Sequence, residues 1–117
     1  MTPEHFVAAI RDSILERNLA EYKKLLGSPD SEVEDEYWRK TCRLYKSLDA
    51  TRKGDLVSVM RQVMVDTVSS MLGILDGTTY FQRDSKGFTL KYGSDAEKLN
   101  GDLQDFFLAA EEDSGGS

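Results

Sequence analysis

The sequence predicts a predominantly α-helical α+β domain: a three-helix bundle-like core with the third helix at its centre, a C-terminal β-hairpin at about 78–92, and a short last helix. Residues 56–75 place nearly all their apolar side chains on one very wide arc of a helical wheel, the pattern of a helix enclosed by others. Two segments before it carry helix start signals, and after Gly77 the chain changes to Thr-, Tyr- and Phe-rich runs that suit strands. A chain of 117 residues, 39% hydrophobic and 31% charged, fits one domain able to fold without disulfides or metals.

The first helix starts with Thr2 as N-cap, Pro3 at the first helical position and Glu4 at the positive end of the dipole, and it closes at Lys23, Lys24 and Gly27. Its apolar stripe is broken. Phe6, Ile10 and Ile14 line one edge, whereas Leu15, Leu19, Tyr22 and Leu26 follow a stripe rotated by about 100°, which requires a bend near Asn18 or a helix that crosses two neighbours. Residues 27–31 form a turn by composition. Ser31 and Glu34 make a capping box that opens a second helix running to about Leu48, with Tyr37, Trp38, Thr41, Leu44, Tyr45 and Leu48 on its buried face. The third helix begins between Asp49 and Asp55 and ends at Asp76-Gly77. Ser58, Gln62, Asp66 and Ser69 form its narrow polar strip, while Arg61 falls inside the apolar arc and must meet a carboxylate or reach water.

Residues 78–82 and 88–92 are β-rich and flank a plausible loop at 83–87, giving a hairpin that should pack Tyr80, Phe88, Leu90 and Tyr92 against the helices. Asn100-Gly101 is a turn, and Asp102 caps a last helix through Ala110. The domain is therefore expected to span 1–110, with 111–117 a frayed acidic tail.

Net charge is −6, and all of it comes from one end. Residues 1–94 hold 14 acidic and 14 basic side chains, whereas 95–117 hold seven acids and only Lys98. The lack of a basic footprint argues against nucleic acid and favours a basic protein partner. The longest apolar run, Phe6 to Ile10, is far short of a membrane span, and the start carries no basic leader. With a lone Cys42, these features read as a cytoplasmic protein without a disulfide or a membrane anchor.

No catalytic or cofactor-binding constellation stands out. His5 lies in a first helical turn without a matched nucleophile, Cys42 lies within a helix, and no phosphate-cradling glycine motif occurs. The acidic run from Asp30 to Glu36 is explained by the dipole and by pairs such as Asp35 with Arg39. Its alternative reading is a metal-dependent hydrolase using helix carboxylates, Glu32 and Glu36 with Asp66 a distant third. The basic and aromatic residues of 30–53 are balanced by as many acids, six of each charge, which favours a solvated helix face. Met60, Met64 and Met71 lie on one strip of the third helix and read as core filling.

The favoured function is a small protein–protein interaction module, an adaptor, subunit or neutralising partner of a basic protein. Its contact residues would be Asp102, Asp105, Phe106, Phe107, Glu111, Glu112 and Asp113, an aromatic patch with an acidic rim. A third reading is a structural homo-oligomer joined through the hairpin edge.

Overall fold

Thr2 Oγ accepts from His5 N at 3.1 Å and opens α1, Pro3–Ile10, as its position before Pro3 predicts. In the computed structural model, which describes residues 1–81 and 86–114 apart from the side chain of Asp30, this helix runs without interruption into a π-helical segment, Arg11–Glu16, and then into α2, Arg17–Leu26. The π segment accounts for the broken stripe. It winds in about one extra residue and so turns the following face by about 100°, which brings Leu15, Leu19 and Leu26 back to the side that buries Val7. Ile14 is left exposed.

The Ser31–Glu34 box does not form. A single 3₁₀ turn occupies Asp30–Glu32, and α3, Glu36–Lys46, starts one turn later than expected, with Asp35 Oδ1 accepting from Trp38 N at 3.2 Å. Asp35 is thus the cap rather than a partner for Arg39, which lies 3.7 Å from Glu36 and donates to the Val33 carbonyl at 3.0 Å. Helix α3 packs on α2 through buried Cys42, whose thiol donates to the Leu25 carbonyl, and Trp38 stacks against Tyr22.

Helix α4, Ala50–Asp76, is 27 residues long, about 40 Å. Asp49 caps it by accepting from Arg52 N at 2.8 Å, and Gly77 closes it at φ +82°, a left-handed conformation that glycine adopts without strain. The last helix, α5, Leu103–Asp113, packs across α1 and α4. Val7, Leu15, Val65, Leu72, Leu103 and Phe107 form the core at this crossing.

The expected β-hairpin is a correction, for there is no β-strand among the described residues and the fold is helical rather than α+β. Residues 82–85 of its loop lie outside the described residues. The backbone of the second β-rich run bonds elsewhere. Leu90 N donates to Asn100 Oδ1 at 2.7 Å, the Asn100 amide donates to the carbonyls of Phe88 at 2.8 Å and Leu75 at 2.5 Å, and Leu99 N donates to the Leu90 carbonyl. One buried side chain thus ties this run to α4 and replaces the cross-strand ladder. Only Leu90 of the expected inward face reaches the core; Tyr80, Phe88 and Tyr92 are exposed.

The third long helix is also less enclosed than its wheel suggests. All four buried residues of α4, Val65, Ser69, Leu72 and Gly73, lie in its C-terminal half, while Val59, Val63 and Met71 face solvent. The molecule measures 51 × 30 × 28 Å with a radius of gyration of 17.7 Å, against about 13 Å for a compact chain of this length. The main core is confined to the crossing of the first helix, α4 and α5, and α2 meets α3 in a separate, smaller contact where Leu26 and Cys42 are buried, which lengthens the molecule.

Candidate functional site

The site is built around α5, whose start is held by a residue distant in sequence. Gly101 turns the chain at φ +138°, and Asp76, at the end of α4, accepts from Gly101 N at 2.7 Å and Gln104 N at 2.8 Å. Asp102 makes no side-chain cap, so Asp76 supplies the acceptor expected of it and brings negative charge to the positive end of α5. Gln104 then donates to the carbonyl and hydroxyl of Ser69 at 3.0 and 3.2 Å and accepts from Thr78 Oγ at 3.0 Å. Ser69 is therefore buried rather than part of a solvent-facing strip.

At its other end α5 carries Glu111, expected at the start of a frayed tail. Instead the helix continues to Asp113, and Glu111 is only 5% exposed. Its carboxylate accepts from Arg11 Nε at 3.0 Å and from Arg61 at 3.0 and 3.1 Å, and Arg61 also reaches Glu16 at 2.7 Å. Arg61 thus finds the carboxylates its place in the apolar arc requires. Burial pulls its pKa down, but the hydrogen bonds and charges of Glu16 and Glu111 together outweigh that and hold it above the usual guanidinium value. Two cations and two anions balance here, which makes the cluster a structural clamp joining the π segment, α4 and α5.

Two of the seven expected contact residues are thereby withdrawn from the surface: Glu111 into this clamp and Phe107 into the core, where it is fully buried. Asp102, Asp105, Glu112 and Asp113 remain exposed and share the outward side of α5 with Leu108 and Ala109. None of the four meets a cation among the described residues. Phe106 is half-buried and lies in a shallow groove of about 210 Å³ between α1 and α5. Glu4 and Ala8 of α1 and Arg11 at the start of the π segment line one side; Phe106, Ala109 and Asp113 line the other from α5. Arg11 is engaged by Glu111, so the free charges on the groove are the carboxylates of Glu4 and Asp113. Sequence reasoning missed Glu4 as a site residue, because only the packing of α1 on α5 brings it beside Phe106.

The metal candidates do not converge. Glu32 sits in the 3₁₀ turn, Glu36 begins α3 beside Arg39, and Asp66 lies in mid-α4 accepting from Gln62 at 2.9 Å. Among the described residues no cluster of three or more His, Cys, Asp or Glu side chains could hold a metal ion. No described helix is long and apolar enough to cross a membrane. Comparison with protein-family models, with curated proteins and with solved structures found no match for this chain.

Proposed function

We propose that this chain is a protein-interaction module that acts in the cytoplasm and receives a basic segment of a partner protein in the α1–α5 groove. The observation that supports it most is a groove that holds the half-buried Phe106 ring and is also lined by the unpaired carboxylates of Glu4 and Asp113, the latter two turns along α5 from the ring. An aromatic ring in a groove lined by free carboxylates suits a basic segment, with one aliphatic stem packed on the ring and basic side chains meeting the acids along the groove. Asp102, Asp105 and Glu112, on the same outward side of α5, extend the negative field and would speed encounter with a basic surface.

The test is capture of the tagged full chain's partner from lysate of the source organism, with Glu4→Lys/Asp113→Lys as the paired variant. A stoichiometric basic protein retained by the natural chain, released by high salt and lost with the double variant supports the reading. Glu4→Lys loses a favourable charge at the start of α1 while Asp113→Lys gains one at the end of α5, so the double variant should melt within a few degrees of the natural chain. A partner bound equally well by the double variant overturns it, as does the lack of any stoichiometric partner at low salt.

A further inference from the structure

We propose that Asn100-Gly101 is a spontaneous deamidation site that the fold holds shut, so that opening of the attachment of α5 is converted, with time, into its irreversible loss. Asparagine followed by glycine is chemically the least shielded pairing in a chain, because no Cβ hinders the glycine nitrogen as it approaches the asparagine side chain. The chain has two asparagines, and the other, Asn18, precedes the branched Leu19 inside α2.

The reaction needs only water. Loss of the Gly101 amide proton to hydroxide lets that nitrogen bond to Asn100 Cγ and close a cyclic imide; the Cγ–Nδ2 bond breaks, and Nδ2 departs as ammonia with a proton returned from water. Hydrolysis of the ring at one of its two carbonyls then leaves an aspartate, or an isoaspartate in which the main chain runs through Cβ and Cγ.

Both reacting groups are tied down in the folded chain. Asn100 is 5% exposed, and its Nδ2, the leaving group, donates to the carbonyls of Leu75 and Phe88 while Oδ1 accepts from Leu90 N. Gly101 N, the nucleophile, donates to Asp76 Oδ1 at 2.7 Å. The negative charge of that carboxylate opposes formation of the amide anion beside it. The needs of the fold explain why so reactive a pair is present. Position 100 requires a short side chain with one acceptor and two donors, and position 101 sits at φ +138°, which glycine adopts without strain.

The product cannot take over the role of Asn100. A carboxylate has no N–H for the Leu75 and Phe88 carbonyls and sets its charge against both, and buried polar groups left without partners are costly. Conversion therefore loosens the tie between α4, the run at 88–90 and the start of α5, and the loss of ammonia makes the step one-way. Attack requires the hydrogen bonds of Asn100 and Gly101 to break, so the folded chain reacts from its open form, at the unfolded rate multiplied by the open fraction.

Peptide mapping by mass spectrometry of the full chain, held in neutral buffer at physiological temperature, tests this. In guanidinium chloride Asn100 should convert while Asn18 stays intact over the same time. The folded chain should convert at least about tenfold more slowly, by the factor that protects its Gly101 amide from hydrogen exchange, since both reactions need that N–H freed. Asp76→Ala should speed conversion of the folded chain about 5–30-fold and leave the rate in guanidinium chloride unchanged. Asn100→Asp mimics the product and should let the Leu90 and Gly101 amides exchange at least about tenfold faster. Should that variant fail to fold, the deamidated natural chain, isolated by ion exchange, provides the same measurement. An intact Asn100 in the unfolded chain, conversion of the folded chain at the unfolded rate, an equal rate in Asp76→Ala and the natural chain, or natural amide protection in the deamidated chain overturns the proposal.

Discussion

Glu111→Gln should be among the most destabilising single changes on the polar side of this protein. The carboxylate is 6% exposed in its side chain and serves two guanidinium groups that are themselves only 19% and 16% exposed, those of Arg11 and Arg61. The substitution keeps the volume and one accepting oxygen but removes the charge that balances them. Breaking a buried pair from one side costs about 3–5 kcal/mol. Here Arg61 retains Glu16 and both arginines have a path toward water, so a loss of about 2–3 kcal/mol is expected. For a domain of this size that is a fall in melting temperature of roughly 8–15 °C. Glu16→Gln is the internal control: its side chain is 49% exposed, and its loss should cost under about 1 kcal/mol. Thermal melts followed by circular dichroism, at low salt and again at high salt, separate the two, because a buried network is screened far less than an exposed pair. The raised pKa of Arg61 means that its contribution is complete at neutral pH and fades only as pH rises through the guanidinium range, so the Arg61 share of the penalty should be equal in neutral and mildly alkaline buffer. Melting of Glu111→Gln within about 2 °C of the natural chain would refute the clamp.

Two further pairs of substitutions probe how α5 is held. A Cβ at Gly73 would overlap Thr79 Oγ1 and lie 2.8 Å from Gln104 Nε2. Gly73→Ala should therefore destabilise by about 1–3 kcal/mol in urea unfolding, whereas Gly54→Ala, with nothing within 4 Å, should stabilise α4 by about 0.5–1 kcal/mol. Asp76→Ala removes two acceptors from the start of α5 and should cost about 1–2 kcal/mol. Asp102→Ala, at a position with no capping bond, should change stability by less than about 0.5 kcal/mol. An equal effect of the two aspartates in the same melts would show that Asp76 does not cap α5.

Local chemistry in the sequence determines much of the helical framework. Thr2, Asp49 and Gly77 act within a few residues of themselves, through a side-chain oxygen accepting from the third N–H onward or through a permissive φ, and the ends of α1 and α4 lie where these residues place them. The broken stripe of the first helix was legible as an irregularity, though its cause is a π segment rather than a bend at Asn18. Arg61 within an apolar arc announced the need for a carboxylate without naming one.

What the sequence left open involves partners far apart along the chain. Strand propensity is realised only when a run finds a neighbouring strand, and at 88–90 the Asn100 side chain takes the backbone groups that a ladder would use. The exposure of Phe106 and the burial of Phe107 depend on the angle at which α5 crosses α1 and α4, which Asp76, Gln104 and Glu111 set together. Of the acidic C-terminal residues, composition identified the charge, but only the tertiary structure decided that Glu111 is a buried clamp while Asp113 remains free on the groove that Glu4 also lines. A side chain's charge is a property of its residue type, whereas its pairing and its exposure are set by which other elements the folded chain brings against it.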